Sequence, residues 1–333
     1  MANIRIYNVE NVTTSHKNVM FNIYQDFFNK SEADYAFESE PVDFYKFFEC
    51  IESRLLKSVV LLESGQPIAF LIYTMMANYC VEINLIHMFN FDDFENKVEL
   101  LVNKLLKNLK EDRIKKTISY PLIGVQEKYF DVLTKLNFEN VENSIYVFPF
   151  TEENEDKINK ASHFEPQLSE GRRIDTWNND YFSQVVKLLN VCFSVEKDAL
   201  YDSRYKTEVG TRDILNKIID SEYGIFLPNQ CSILLDNEKV IGICLANLTT
   251  YEIANIPQVA VLPQYRGHKL GTMLVKTTLA KIAKAHNYRV LNLKELNVTS
   301  VANHDSALNM YIENGFELAC TYNQLYYNFN YYR

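Results

Sequence analysis

Glycine is scarce in this 333-residue chain, with nine in all, where an average usage near 7% would give roughly twenty-three. So poor a chain keeps glycine mainly where the backbone needs a geometry that a Cβ forbids. Cysteine is sparse and scattered. Cys50, Cys80, Cys192, Cys231, Cys244 and Cys320 form no C-x-x-C pair and no cluster with histidine. That excludes a disulfide framework and a zinc site, predicts reduced and mostly buried thiols, and leaves no metal to expect. Long apolar runs are missing too. The longest, Ile68 to Ala77, is about half the ~20 residues a membrane helix needs. The first twenty residues carry polar groups throughout and lack the apolar core of a signal segment. The expectation is a soluble cytoplasmic protein with no membrane partner. Nor is there a basic excess: the formal net charge of −9 argues against general nucleic-acid binding.

What is present is material for packed cores, 47% hydrophobic against 23% charged. At roughly 100–200 residues per domain, the length suggests two. Residues 151–171, TEENEDKINKASHFEPQLSEG, hold six acids, two lysines and one aromatic, and have little to bury. This places a domain over 1–150, an acidic linker over 151–171 and a second domain over 172–333.

Both halves follow one order of elements. A short strand near Ile4–Tyr7, helices over Val19–Phe28 and Asp43–Leu56, and the hairpin SVVLLESGQPIAFLIY turning at Ser64-Gly65 open the first. Arg173–Thr176, Tyr181–Phe193, Thr211–Ile219 and the hairpin CSILLDNEKVIGICLA turning at Asp236-Asn237-Glu238 repeat them. Each half then runs strand, long amphipathic helix, strand, helix and tyrosine-rich tail. The hairpin turns lie about 173 residues apart, and Asn137-Phe138 and Gly315-Phe316 lie 178 apart. That spacing describes a duplicated α/β domain, not a solenoid of short repeats.

Three of the nine glycines, Gly267, Gly271 and Gly315, fall within fifty residues of one another. In VAVLPQYRGHKLGTMLVKTTLAKIAKAH, an apolar strand ends at Pro263, a glycine turn follows, and a helix begins near Leu270. A strand, a glycine turn and a helix N-terminus together present free backbone N–H groups and a helix dipole to an anion. From Gln264 to Arg289 the chain carries Arg266, Lys269, Lys276, Lys281, Lys284 and Arg289 and no acid, a basic helix directed at phosphate. Neither G-x-G-x-x-G nor G-x-x-x-x-G-K-[ST] is present.

The segment QYRGHKLG resembles the acetyl-coenzyme A pyrophosphate loop of the GCN5-related N-acetyltransferase (GNAT) family, [QR]-x-x-G-x-[GA]. Arg266 matches the first position and Gly271 the last, and Lys269 stands where the middle glycine is usual. Downstream, Leu296, Val298, Asn303, Ala307, Tyr311, Gly315 and Phe316 resemble the family's L-x-V, asparagine and A-x-x-x-Y-x-x-x-G-F, with Asn303 one residue further from Ala307 than usual and His304 in its place. The resemblance covers 173–333. Over 1–150 it is a fold-level echo: FNFDDFENKVELL has no glycine and sets Asp92, Asp93 and Glu95 where phosphates would lie, and Asn137 replaces the last glycine.

The resemblance implies an α/β fold of two tandem GNAT-like domains, each a mixed twisted sheet flanked by helices, the first a degenerate copy without cofactor. It implies acetyl transfer from acetyl-CoA to an amine in the C-terminal half, with no metal. The pyrophosphate is implied to rest on the N–H groups of Gly267, His268, Lys269, Leu270, Gly271 and Thr272, beside Arg266. The pantetheine arm is implied to lie along Val259–Val261, in a gap between two splayed parallel strands, with Asn303 as a further cofactor contact. Tyr311 matches the acid that protonates the leaving thiolate. Glu252, on the strand before the loop, is the candidate base, although Asn255 stands in the usual place; Tyr251, His304 and water are alternatives. The acceptor is a small-molecule or peptide amine of unspecified kind, and the oligomeric state is open, a monomer being compatible. Tyr322, Tyr326 and Tyr327 either line the acceptor pocket or pack as strand residues. The rival reading is a non-catalytic acyl-CoA binder or regulator; a transferase using aminoacyl-tRNA is disfavoured by the phosphate loop and the acidic balance.

Overall fold

The computed structural model describes residues 5–35, 41–76, 80–111, 117–302 and 305–329. In chain order the first half gives β1 (Tyr7–Asn11), α1 (Lys17–Tyr35), α2 (Phe44–Glu52), β2 (Lys57–Glu63), β3 (Gln66–Met76), β4 (Cys80–Met88), α3 (Phe94–Glu111), β5 (Thr117–Leu122), α4 (Phe130–Lys135) and β6 (Glu139–Pro149). Then come α5 (Glu155–Ser162), β7 (Arg172–Asp175), α6 (Phe182–Phe193), α7 (Asp198–Tyr201), α8 (Glu208–Ile219), β8 (Ile225–Phe226), β9 (Ser232–Asp236) and β10 (Lys239–Cys244). The chain ends with β11 (Asn247–Leu248), β12 (Ile253–Asn255), β13 (Val259–Val261), α9 (Leu270–Asn287), β14 (Glu295–Val301), α10 (Asp305–Glu313) and β15 (Glu317–Asn328). The expected hairpins are there. Ser64 (φ +52°) and Gly65 (+80°) turn the first, Asn237 (+45°) and Glu238 (+69°) the second, the paired positive φ that matches the twist of the flanking strands.

The chain divides into two compact units. One comprises Met1–Val141, Leu200–Ser203 and Tyr322–Arg333, the other Glu142–Ala199 and Arg204–Thr321. In the first unit the sheet runs β1-β2-β3-β4-β5-β15, with β4 parallel to β5 and the other pairs antiparallel. The run Val59–Leu62 is buried without a break because side chains alternate between two cores. Val59 and Leu61 pack with Val98, Leu101 and Leu105 of α3, while Val60 and Leu62 pack with Met20 and Phe27 of α1 and Phe47 of α2.

The second unit holds β6-β14-β12-β11-β8 in one sheet and β13-β10-β9-β7 in another. One core fills it, from Val185 and Leu189 of α6 through Ile233 and Ile243 to Leu274, Ile282 and Leu296.

These units cut across the sequence halves. Residues Asn143–Pro149 of β6 pair antiparallel with β14, and residues Asn323–Asn328 of β15 pair with β5. The closing strand of each half therefore completes the sheet built mainly by the other. The acidic segment 151–171 also has structure: Ile158 and Ser162 of α5 are buried, Asn287 Nδ2 donates to Asn159 Oδ1 at 3.1 Å, and Lys157 pairs with Glu317 at 3.0 Å. Composition counts the charges but misses that the few apolar residues fall on one helical face.

Candidate functional site

β12 runs parallel to β14 from Ile253–Glu295 to Asn255–Asn297, and Ile256 N–H still donates to the Asn297 carbonyl at 3.0 Å. Two residues later the partner has changed. The Gln258 carbonyl accepts from Leu245 N–H at 2.9 Å, and β13 continues antiparallel to β10 in the other sheet. β13 and β14 splay apart here, as the resemblance implied.

A cavity of about 430 Å³ fills the gap, lined by Val259–Val261 and by Val298–Val301. Leu245 donates to Gln258 and Leu262 to Ile241, so Ala260 takes the paired position opposite Ile243. By antiparallel alternation the backbone N–H and C=O of Val259 and Val261 then face the gap.

The loop closes one end. A 3-10 turn at Pro263–Tyr265 leads through Gly267 (φ +81°) and Lys269 (φ +56°) into α9 at Leu270. A Cβ on Gly267 would meet no atom within 4 Å, so glycine is there for its backbone angle and leaves open space above it. Lys269 adopts the left-handed conformation that a glycine takes easily, which explains how the family's middle glycine is replaced without loss of the turn. Among the described residues no hydrogen bond engages the backbone N–H groups from Gly267 to Thr272, and the first turn of α9 has no acid. The loop is thus a set of unsatisfied donors at a helix N-terminus, the arrangement that takes a diphosphate.

Gly267, Lys269, Leu270, Gly271, Thr272 and Arg266 all line the cavity; His268 is exposed and does not. Arg266, with its side chain about half exposed, reaches back along the loop: its Nε donates to the Val261 carbonyl at 3.1 Å and its Nη1 lies 3.6 Å from Glu196. Two of the more distant lysines of α9 bend away from the loop, which narrows the reading of a basic helix directed at phosphate. Lys281 donates to the Cys231 carbonyl at 2.5 Å, with its pKa lowered by burial, and Lys276 lies over the Phe164 ring. Charge along a helix does not reveal which way each stem bends.

Tyr311 lines the cavity and is 5% exposed. Its ring stacks on Tyr146 of β6 at 5.8 Å and meets Phe316 edge-on. Burial, with the nearby Cys244 and the Asp198 charge, holds the phenol pKa well above its ordinary value. It stays protonated near neutrality and can donate. Glu252 is elsewhere: it does not line the cavity, and its carboxylate is 2.6 Å from Lys294 Nζ. Asn255, in the usual place of the base, is hydrogen-bonded to Asn247 at 3.1 Å. Tyr251 is exposed. Asn303 and His304 lie outside the described residues.

The carboxylates that do line the cavity are Glu196 and Asp198. Sequence reasoning missed both, with Gln258, because nothing in a polar turn marks which of its acids faces inward. Tyr326 and Tyr327 are strand residues, bonded to Glu139 and packed on Phe138. Among the described residues, no group of three or more His, Cys, Asp or Glu is placed to hold a metal ion, no helix is long and apolar enough to cross a membrane, and all six cysteines are free thiols, four of them buried.

Residues 228–318, which contain β12 to β14, the loop and all of α10, match the family model described as an acetyltransferase (GNAT) domain. Solved structures share the fold of the whole chain. A GCN5-related N-acetyltransferase from Sphaerobacter thermophilus aligns with a TM-score of 0.61 at 12% identity, over 97% of this chain and 95% of its own. A tandem GNAT protein from the clavulanic acid biosynthesis pathway gives 0.60 at 10% identity, over 97% and 98%. A GCN5-related glucosamine N-acetyltransferase region of a fungal multi-domain GH3 β-N-acetylglucosaminidase gives 0.63 at 12% identity, over 98% of this chain and 38% of that one. No curated protein is similar enough in sequence to count as a match. The chain therefore carries a GNAT acetyltransferase domain match over 228–318 and has, over nearly its whole length, the fold of the tandem GNAT proteins.

Proposed function

We propose that the protein is an N-acetyltransferase that moves the acetyl group of acetyl-CoA to an amine, with its working site in the gap between β13 and β14. The observation that carries this reading is the junction of that gap with a loop of unengaged N–H groups, Gly267 to Thr272, at the N-terminus of α9. The donors present fit a diphosphate, and the outward backbone of Val259 with the Val261 N–H fits the amide-bearing arm that follows it, the Val261 carbonyl being taken by Arg266 Nε. When bound, the thioester supplies the acetyl group.

The protein's own residues do the rest. The N–H groups of β13 hold the carbonyl oxygen as charge develops on it. Tyr311, kept neutral by burial, gives its proton to the departing sulfur. Asp198, on the cavity wall and close enough for its charge to act on Tyr311, takes the proton of the attacking amine. Glu252 has no part in this scheme. Much of the rate then comes from holding both reactants in line.

Release of free thiol from acetyl-CoA, followed with a panel of primary amines, tests the reading. Amine-dependent release that falls by about 10²-fold in Tyr311→Phe is expected from loss of a positioned acid. Tight CoA binding with thiol at background for every amine would favour the rival, a non-catalytic acyl-CoA binder.

A further inference from the structure

The first unit repeats the splayed parallel strands of the second, but one of its own side chains lies between them. Among the described residues β4 pairs with β5 only over 80–82 and 117–119, although β4 runs on to Met88 and β5 to Leu122. Phe89 N–H donates to the Ile68 carbonyl of β3 at 3.1 Å, so by alternation the Ile86 carbonyl points the other way, toward β5. There it accepts from the Tyr129 hydroxyl at 2.8 Å. Tyr129 is fully buried, its ring 5.3 Å from Phe94 at the start of α3 and 6.3 Å from Tyr120 of β5. Burial holds the phenol well above its ordinary pKa, so it remains a donor. A side chain thus serves the strand carbonyl that the amide of a bound arm would otherwise meet.

The repeat identifies the position. Phe138 N–H donates to the Leu133 carbonyl at 3.0 Å, and Phe316 N–H to the Tyr311 carbonyl at 3.1 Å. The spacing of 178 between the two phenylalanines therefore holds in the structure as well as in the sequence. It sets Leu133 opposite Tyr311 and Tyr129 opposite Ala307. Ala307 lines the cavity between β13 and β14, and its side chain ends at Cβ. We propose that this one position of the repeat sets whether the gap is shut or open: Tyr129 stands in the first unit in place of a ligand, and Ala307 leaves the second unit room for the arm of coenzyme A. The part that concerns Ala307 rests on the acyl-transfer reading; the part that concerns Tyr129 does not. Leu133 removes the acid from the first unit, and Tyr129 removes the place where a thioester would lie.

Substitutions at both positions test this in the full chain. Ala307→Tyr is expected to lower coenzyme A affinity by at least about thirtyfold in calorimetry, and Ala307→Leu, a smaller fill that a helix accepts readily, by about tenfold. If one of these variants does not unfold cooperatively, the other decides. Tyr129→Ala should open a slot with the shape of the lost phenol. Phenol is expected to raise the urea midpoint of that variant and to bind it at least as tightly as benzene, because its hydroxyl remakes the hydrogen bond to Ile86. A purely apolar slot would reject phenol by about tenfold or more, since the hydroxyl would be buried without a partner. Neither probe should shift the midpoint of the intact protein. The proposal is overturned if both Ala307 variants bind coenzyme A as the intact protein does. It is equally overturned if Tyr129→Ala prefers benzene by more than about tenfold, or if neither probe stabilises it. Absence of heat with coenzyme A in the intact protein would instead remove the acyl-transfer reading and the part about Ala307. The phenol experiment, which uses no cofactor, would still decide the first unit.

Discussion

Lys269 carries a cost that its position explains. A side chain at φ +56° crowds its own backbone, by about 1–2 kcal/mol for an L-residue in the left-handed region. Glycine would relieve the strain at the expense of a more flexible unfolded chain. Lys269→Gly is expected to stabilise the ligand-free protein by roughly 0.5–1 kcal/mol in urea unfolding; an equal or lower midpoint would show that the turn is not strained there. A second pair of substitutions separates the two candidate bases. Asp198→Asn should lower turnover by about 10²-fold, and Glu252→Gln, which breaks only an exposed pair with Lys294, should leave it within about twofold. The opposite ranking would return the role to Glu252. At this scale the sequence was informative about the loop, whose glycines and spacing are local. It was silent about Gln258 and Asp198, whose meaning depends on a sheet crossing and a helical turn that no local pattern encodes.

Asn137 and Gly315 show how an element tolerates a changed residue. Both end a helix at positive φ, +66° and +84°, and asparagine is among the few residues with a side chain that accept that region. The hairpin strand over Val59 to Leu62 was likewise legible from its apolar run and its turn, and the structure adds that both its faces are buried. Strand pairing was not. β6 ends the first sequence repeat, yet it supplies Tyr146 against Tyr311 and Phe148 against Phe316. A duplicated pattern shows which strand closes a half but not which sheet that strand joins. A fragment of residues 172–333 would leave the edge of β14 and both aromatic rings uncovered. We expect it to aggregate or to unfold without cooperativity, and a fragment that folds as sharply as the full chain would contradict the strand assignment. The same fragment extended back to residue 139 regains the β14 partner.

The stability of the whole molecule is expected to depend on pH through a histidine far from the loop in sequence. His87 is 2% exposed, with Nε2 3.0 Å from Asp26 Oδ2. Burial lowers its pKa to about 4, outweighing the pull of Asp26 in the other direction. The folded protein thus keeps His87 neutral while the unfolded chain protonates it near pH 6.5. Stability from this residue is complete above that value and is lost as pH falls from 6.5 toward 4. Urea unfolding at pH 7 and pH 5 should differ by about 2 kcal/mol, with His286, also lowered by burial, adding in the same sense. His87→Gln is expected to flatten most of the slope; an unchanged slope would place its origin elsewhere.

In the first unit Asp93 Oδ2 accepts from Asn96 Nδ2 and Lys97 Nζ donates to Asn90 Oδ1, and the stretch that corresponds to the phosphate loop in the repeat carries Asp92 and Asp93, carboxylates that would repel a diphosphate. We propose one site per chain. Titration of coenzyme A into the purified full chain by calorimetry tests this most directly. The account predicts one equivalent bound, with affinity reduced at least about tenfold in Gly267→Val, whose side chain would occupy the open space above the loop. Absence of heat, two equivalents per chain, or an unaltered affinity in that variant would contradict it.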